Sequence, residues 1–249
     1  MARSPDSSAG WGLHRNQPWS ELDDWDRMTV AADIVLLTVL DGELRVLLHK
    51  RTYEPHLGKW AIPGGFVTYP ESADETVLRA LRAKAGLDFT GHLERLDWTW
   101  DACRDPRGWV GCVTLLGLSE PRALRDASTH AELGRLVVPW SGETGGAVRI
   151  EVKGRPVRLA FLHQDIVAAA VKRLRGKLRW TDVGLALMPP TFTFKQLQQT
   201  YEVVLGEPLN RVTFRRMMLE TLALIEPTGQ LQQEVNHRPA ELYRRRPSP

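Results

Sequence analysis

The chain has 249 residues, of which 43% are hydrophobic and 25% charged, and we expect two modest domains, each with its own core. Its longest apolar run, Ile34 to Leu40, falls far short of the roughly 18 residues that a membrane-spanning helix needs, which argues against a membrane protein. The net charge of +3 is small but unevenly placed. From Gln164 onward, 13 Lys and Arg stand against 8 Asp and Glu, whereas the preceding part holds 20 against 22. This asymmetry favours a polyanion-binding module joined to a near-neutral one.

The first residues and the cysteines bear on the cell compartment. Residues from Met1 to about Trp25 are rich in Ser, Asp, Pro and Trp and lack the apolar core and cleavage site of a signal peptide. Cys103 and Cys112 are too few for a disulfide framework or a recognisable metal-binding spacing, so we interpret both as ordinary thiols. We therefore expect a cytoplasmic protein with an N-terminal extension over residues 1–28.

Strands dominate the predicted structure of the first half. Val30 to Leu40 and Leu44 to Arg51 are β-rich apolar runs separated by Asp41-Gly42-Glu43, which predicts a β-hairpin. Trp60 to Val67 then predicts a short strand broken by a Pro-Gly-Gly turn.

One clear helix follows these strands. Ser72 with Glu75 three residues later is a capping box, and Gly86 marks the end of the apolar helical stripe. Strands interrupted by one helix indicate an α/β sandwich, which we assign to residues 29–163. The remaining predicted elements are a strand at Trp109 to Leu118, a loop with a helical turn at Ser119 to Glu132, and a hairpin at Ala147 to Leu162 around Lys153-Gly154-Arg155.

The pattern changes after about His163. Asp165 to Leu178 alternates apolar and basic residues at helical spacing and predicts a connector helix within residues 164–190. Over residues 191–249 the expected order is helix, turn, helix and β-wing, that of a winged helix-turn-helix domain. Its markers are a capping box of Thr193 and Gln196, a helix stop at Gly206, a cap at Asn210, and strands at Ala223 to Glu226 and Glu241 to Arg246.

The stretch from Gly64 to Leu87 resembles the Nudix box, G-x5-E-x7-R-E-U-x-E-E-x-G-U, in which U is apolar. Upstream, Arg51 and Trp60-Ala-Ile-Pro-Gly-Gly-Phe-Val67 are similar to the approach strand and loop of that family. The resemblance covers roughly Val30 to Leu162 and implies a Nudix-like α/β/α sandwich. The residues that fit the box in register are Gly65, Glu71, Arg79, Leu81, Gly86 and Leu87.

The departures from the box concern its chemistry. Where the family has glutamates, this chain has Ala80, Ala83 and Lys84, spaced so that they share one helix face. Two methyl groups and an ammonium supply no oxygen ligands for Mg²⁺ or Mn²⁺, so we expect no metal, no cofactor and no catalytic residues. An alternative stays open: a metal-dependent hydrolase of a nucleoside diphosphate derivative, with ligands from elsewhere, such as Asp74, Glu75 or Glu132.

The expected remnant is a nucleotide-binding cleft. Trp60 is a candidate for stacking a base, Gly64 and Gly65 allow close backbone approach, and arginines can bind phosphates. Each candidate also has a purely structural interpretation, since nine tryptophans are spread along the chain and residues 104–108 have the composition of a β-turn. The candidate ligand-binding residues are Arg51, Trp60, Gly64, Gly65, Glu71, Arg79, Arg104 and Arg107.

The C-terminal segment, from Thr191 to Tyr243, resembles the DNA-binding end of the Nudix-related transcriptional regulators of the NrtR type. That resemblance spans nearly the whole chain. It implies a homodimeric repressor of genes of NAD metabolism that binds double-stranded operator DNA and senses ADP-ribose or a related nucleotide.

The second helix of this domain is expected to enter the major groove. The alternative is a winged helix that binds protein instead of DNA, and weak salt dependence of binding would favour it. The basic tail at Arg244 to Arg246 either contacts DNA or is simply exposed to solvent. The candidate DNA-binding residues are Lys195, Arg211, Thr213, Arg215, Arg216 and Arg238.

Overall fold

A computed structural model of the protein describes residues 28–100, 104–124, 127, 130–233 and 239–247. The N-terminal extension predicted for residues 1–28 therefore lies, apart from Met28, outside the described residues, as do Cys103 and Arg238. Within these ranges, no helix combines the length and apolar composition required to cross a bilayer.

A nine-stranded mixed sheet forms the larger part of the molecule, with the order β5-β6-β1-β2-β7-β8-β9, while β3 pairs with β2 and β4 with β1. β1 runs parallel to β6, and the other pairs are antiparallel. The strands are β1 (Thr29–Leu40), β2 (Glu43–Lys50), β3 (Trp60–Ala61), β4 (Gly64–Phe66), β5 (His92–Thr99), β6 (Val110–Leu118), β7 (Ala131–Val137), β8 (Arg149–Val152) and β9 (Arg155–Val157).

The predicted hairpin at the centre of this sheet is confirmed. β1 and β2 pair from Leu37 opposite Val46 to Leu40 opposite Glu43. The two turn residues between them, Asp41 and Gly42, have φ angles of 53° and 72°. Positive φ at both positions is the geometry of the tight turn that matches the right-handed twist of a hairpin, and it explains the Asp-Gly sequence.

Two helices cover opposite faces of the sheet and confirm the α/β/α sandwich. α1 (Ala73–Ala85) has the predicted capping box of Ser72 and Glu75, and Gly86 ends it in the left-handed conformation. Side chains of β1 alternate between the helices: Ile34 and Leu36 pack in the cluster that contains α1, whereas Val35 and Leu37 pack in the one that contains α2 (His163–Leu178).

Two strands of the large sheet, β5 and β7, are absent from the sequence-based prediction. β5 lies at the sheet edge, and only one of its eight side chains, Leu96, is buried, so it has no apolar alternation to detect. β7 begins inside the stretch from Ser119 to Glu132 that we predicted as a loop, and it carries Gly134 and the exposed Arg135. The predicted helical turn of that stretch is present as a 3-10 helix at Pro121–Leu124.

The C-terminal part is a winged helix-turn-helix, as predicted. β10 (Phe192–Thr193), β11 (Ile225–Leu231) and β12 (Glu241–Arg245) form a three-stranded sheet with β12 in the middle. α3 (Phe194–Leu205) begins at the predicted Thr193 and Gln196 capping box, and α4 (Arg211–Arg216) begins at Asn210 and continues as a π-helical turn over Met217–Thr221. One buried cluster runs from the large sheet through α2 into α3 and α4.

Candidate functional site

A small polar cleft of about 70 Å³ opens where β1, β2 and β4 meet the start of α2. Four cationic side chains and two carboxylates line it, together with three aromatic rings. The described residues that line it are Ala31, Asp33, His49, Arg51, Tyr53, Ile62, Gly64, Gly65, Phe66, Lys84, Arg104, Asp105, Arg107, Phe161 and His163. The excess of cations makes this cleft a place for an anionic ligand.

Arg51 is fixed by its surroundings rather than by a carboxylate. Its Nε donates to the carbonyl of Pro55 at 2.7 Å, and its guanidinium lies 4.9 Å from the ring centroids of both Tyr53 and Phe161. Burial lowers the pKa of Arg51 from its ordinary value. The side chain is thus held in place before any ligand binds.

Arg104 and Arg107 differ in how their donors are used. Arg107 forms a two-pronged ion pair with Asp105, with N–O distances of 2.9 and 2.7 Å, and lies over the ring of Phe66. Arg104 is buried, and its Nε and Nη1 have no hydrogen-bond partner among the described residues, while its nearest carboxylate oxygen, on Asp33, is 3.9 Å away. Buried donors without acceptors are costly, so Arg104 is suited to a ligand oxygen.

Asp33 is the centre of this cleft and was not among the residues predicted from the sequence. It accepts a hydrogen bond from Cys112 Sγ at 3.1 Å and lies 3.5 Å from His163 Nε2. Hydrogen bonds from His163 and Cys112 and the charge of Arg104 hold the pKa of Asp33 below its ordinary value despite its burial. An aspartate inside the apolar strand β1 was the available sequence signal, because a buried carboxylate needs such partners.

Gly64 and Lys84 form one wall of the cleft. A Cβ at Gly64 would lie 1.8 Å from Asp33 Oδ1, so no larger residue fits there. Lys84, at a position where the Nudix box has a glutamate, donates from Nζ to the carbonyl of Gly64. Burial lowers the pKa of Lys84. A cation therefore occupies the place where the family pattern has a carboxylate.

The other predicted ligand-binding residues lie outside this cleft. Trp60 is half-buried and packs against the hydrophobic core, and the aromatic rings at the cleft are Tyr53, Phe66 and Phe161 instead. Glu71 and Arg79 pair with each other at 2.7 Å, and this pairing holds the pKa of Glu71 at about 2. Arg79 also donates to the carbonyl of Phe66 at 3.0 Å, so the pair braces the loop before α1.

The described residues contain no group of three or more His, Cys, Asp or Glu side chains arranged to hold a metal ion. On the face that carries the glutamates in the Nudix box, Ala80 is buried and Ala83 is exposed. The three carboxylates proposed as displaced ligands are used elsewhere. Glu75 caps α1, Asp74 lies 3.6 Å from Arg95, and Glu132 pairs with Lys153 at 2.5 Å.

Because of buried His49, we expect the free energy of unfolding of the Nudix-like domain to depend on pH. Burial and the charge of Lys84 lower the pKa of His49 to about 4, whereas an unfolded histidine titrates near 6.5. Between these values the unfolded chain binds the extra proton, so the contribution to stability is complete above pH 6.5 and is lost as pH falls toward 4. We expect the full contribution of His49 to the free energy of unfolding to be about 3 kcal/mol. About 2 kcal/mol of it is lost between pH 7 and pH 5, and urea unfolding at these two pH values measures that loss.

The test variant is His49→Gln, and the control is His130→Gln, because His130 is exposed. The His49 variant is expected to lose less stability between pH 7 and pH 5 than the unmodified protein. Equal losses in all three proteins would contradict the assignment.

The second helix of the winged domain presents a basic, solvent-exposed face. Arg211, Thr213 and Arg216 are exposed, while Phe214 and Met218 point into the core. Arg215 is exposed too, but its Nη2 donates to the hydroxyl of Tyr243 at 2.9 Å and its guanidinium lies 5.3 Å from the ring centroid of Phe194. Arg215 therefore braces the domain as well as facing solvent.

Two further residues complete this surface. Lys195 is exposed in the first turn of α3, as predicted from the sequence. Val212, which was not predicted, is 79% exposed in the first turn of α4. An exposed aliphatic side chain between polar residues suits an apolar contact such as the methyl group of thymine.

Comparisons with known proteins match both parts of the chain. The NUDIX domain model matches residues 28–127, and the model of the NrtR DNA-binding winged helix domain matches residues 184–245. The chain is 34% identical over 225 residues to the ADPR responsive transcriptional repressor NtrR of Acinetobacter baylyi, which covers 89% of this chain and 83% of that protein.

Solved structures agree with this relationship. Shewanella oneidensis NrtR, crystallised in complex with a 27mer DNA, superposes with a TM-score of 0.71 at 30% identity, over 87% of this chain and 93% of that one. A MutT/nudix family protein from Enterococcus faecalis has a TM-score of 0.73 at 21% identity over 99% of this chain and 100% of that one, which supports the fold alone. The extent of the match to the Acinetobacter baylyi protein, with a Nudix domain followed by an NrtR winged helix, shows that this chain belongs to the NrtR family of transcriptional regulators.

Proposed function

We propose that the protein is a transcriptional repressor that binds operator DNA through its winged helix and responds to ADP-ribose bound in the polar cleft. The observation that carries this proposal is the exposed basic face of α4, in a chain that shares its domain order with a DNA-bound relative and an ADP-ribose-responsive one. As in the resemblance described above, genes of NAD metabolism are its proposed targets, and its proposed location is the cytoplasm.

The cleft suits the diphosphate of ADP-ribose. Arg51, Arg104 and Arg107 converge with Lys84 on one small space, and arginine is the side chain best matched to phosphate oxygens. Its volume of about 70 Å³ is well below the roughly 300 Å³ at which pockets for small molecules begin. In this proposal the cleft widens as it accepts the ligand, and that change of shape gives the ligand different affinities for two states of the protein.

The proposed complex with DNA is symmetric. A two-fold homodimer presents two copies of α4, so the operator is a pseudo-palindrome whose half-sites are separated by whole helical turns of about 10 base pairs. Arg211, Thr213 and Arg216 read base edges or phosphates in the major groove, with Lys195 on the flanking backbone.

The test of this function begins with the full-length protein and a duplex selected by it from a random pool. Operator affinity, measured with and without saturating ADP-ribose, is expected to change with ADP-ribose and not with AMP or ribose 5-phosphate. If the affinity for the selected duplex does not change with ADP-ribose, the assignment of ADP-ribose as the effector is wrong. Failure to enrich any duplex, or binding unaffected between 50 and 200 mM salt, would favour the alternative in which the winged helix binds protein.

The protein is expected not to hydrolyse ADP-ribose. The family reaction needs metal held by helix carboxylates, and Ala80, Ala83 and Lys84 replace them, which removes both water activation and charge stabilisation. With several kcal/mol lost from each effect, turnover should fall to less than about one thousandth of a typical 10 per second. Incubation with ADP-ribose and millimolar Mg²⁺ or Mn²⁺, followed by chromatography for AMP, measures it.

Metal-dependent turnover near about one per second, abolished by Glu71→Gln or Glu75→Gln, would instead establish a working hydrolase. The present contacts of both carboxylates, with Arg79 and in the cap of α1, argue against that alternative.

A further inference from the structure

Helix α2 physically joins the cleft to the winged domain. Its first residue, His163, accepts a hydrogen bond at Nδ1 from the backbone N–H of Ile62 at 3.2 Å and faces Asp33. Phe161, two residues earlier, has a φ of 50°, a strained conformation for an aromatic residue, and its ring lies beneath Arg51. Phe161 and His163 both line the cleft, so a ligand that widens it on this side displaces the residues from which α2 begins.

At the other end of α2, a buried cation reaches the winged domain in addition to the apolar contacts between them. Arg175 is 1% exposed, about 18 Å further along the helix. Its Nε donates to the carbonyl of Val204 at 2.6 Å, its Nη1 donates to the carbonyl of Trp140, and its guanidinium lies 4.4 Å from the Trp140 ring centroid. Val204 belongs to the last turn of α3, where carbonyls lack helical partners and a cation is favoured.

This cation is unusual because none of its hydrogen bonds among the described residues goes to a carboxylate. Burying a guanidinium is expensive, and packing alone would be served equally well by an aliphatic side chain. What an aliphatic side chain cannot do is fix three elements, α2, the loop at Trp140 and the end of α3, in one geometry through directed donors.

The surroundings of this contact leave room for movement. A cavity of about 880 Å³ lies on one side of the α3 end, between Gly206, Val203 and the β1–β2 turn, and another of about 270 Å³ lies on the other side, beside Arg175. The end of α3 is therefore flanked by open space on both sides, while Val204 and Leu205 themselves are buried in the hydrophobic cluster shared with α2 and the large sheet.

We propose that Arg175 is the positioning residue that makes the placement of the DNA-binding helices depend on the state of the cleft. A shift of α2 at His163 moves the guanidinium, and the guanidinium moves the end of α3 and with it the neighbouring α4. The inference rests on the proposed function, since it assigns the route by which ADP-ribose changes operator affinity.

The experiment compares the coupling factor, the ratio of the operator Kd values with and without saturating ADP-ribose, in the full-length protein and in Arg175→Lys. Lysine keeps the charge and loses the fork of donors. In the unmodified protein we expect a ratio that differs from one by at least about fivefold, a typical allosteric coupling. In Arg175→Lys we expect a ratio within about twofold of one, with ADP-ribose affinity retained and the melting temperature lowered, because a buried carbonyl loses its donor.

The matched control is Arg179→Lys. Arg179 also lies at the end of α2 and pairs with Glu207 of the winged domain, but on the surface, so its replacement should leave the ratio intact. A second perturbation is Gly206→Ala, because a Cβ there would lie 2.8 Å from Arg175 Nη2 and push the guanidinium aside; since Gly206 has a φ of 71°, this variant also strains the end of α3.

The outcomes separate the two proposals. If ADP-ribose does not change the operator affinity of the unmodified protein, both the proposed effector and the proposed coupling through Arg175 are wrong. If the unmodified protein responds to ADP-ribose and folded Arg175→Lys or Gly206→Ala has the same coupling factor, only the proposed coupling through Arg175 is wrong. Should both variants fail to fold, hydrogen exchange of the unmodified protein decides, since ADP-ribose must then change amide protection over residues 202–206. Unchanged protection there also overturns the route.

Discussion

Replacing Arg211 and Arg216 together by alanine is expected to weaken operator binding by about 100-fold or more without unfolding the protein. Both side chains are exposed on α4, whereas the core of the domain is built on Phe214 and Met218. A good base contact contributes about 1 to 3 kcal/mol, and each lost phosphate contact lowers the slope of log affinity against log salt by about one. Fluorescence anisotropy over a salt series measures both quantities.

Arg149→Ala is the control for lost charge, because Arg149 is an exposed arginine on β8 of the Nudix domain. Its operator affinity should match that of the unmodified protein. Full affinity in the folded Arg211 and Arg216 double variant would refute the placement of α4 in the groove. Arg215 is left out because its bond to Tyr243 mixes domain stability with DNA contact, which the sequence alone did not reveal.

Replacing Arg104 by methionine is expected to lower ADP-ribose affinity by about 100-fold, because two charge-assisted hydrogen bonds at about 1.5 kcal/mol each are lost. Two of its donors are buried and lack partners among the described residues, which favours the change, whereas the loss of its charge beside Asp33 opposes it, so we expect only a small change in the stability of the ligand-free protein. Calorimetric titration gives the affinity, and thermal unfolding gives the stability. A large loss of affinity with little loss of stability distinguishes a ligand-facing arginine from a structural one.

Arg82→Met serves as its control, since Arg82 is exposed on α1 and pairs with Asp88 away from the cleft. ADP-ribose affinity retained in Arg104→Met, or a stability loss that accounts for weaker binding, would show that Arg104 supports the fold and does not contact the ligand.

Local sequence was sufficient for most elements because their determinants lie within a few residues of each other. Ser72 with Glu75 and Thr193 with Gln196 form the two predicted capping boxes, and Asp41-Gly42 forms the predicted hairpin turn. Each of these satisfies backbone groups next to it in the chain. The strand β5 was missed for the complementary reason: its stability comes from pairing with β6, and its own side chains are mostly exposed.

The cleft could be predicted only in part. Arg51, Gly64, Gly65, Arg104 and Arg107 were expected at the site and line it, whereas Trp60 packs against the core and Glu71 with Arg79 brace a neighbouring loop. Trp60 lies on a strand beside the cleft, and strand pairing together with helix packing decides to which side its ring points.

The sequence by itself determined most of the elements, the two domain types and the replacement of the Nudix glutamates by Ala80, Ala83 and Lys84, because these are properties of adjacent residues and fixed spacing. Only the tertiary structure decided that Asp33, His163 and Arg104 meet in one cleft, and that Arg175 binds carbonyls of both the loop at Trp140 and α3. These contacts join residues far apart in the chain, and their partners are often backbone carbonyls, which carry no mark in the sequence.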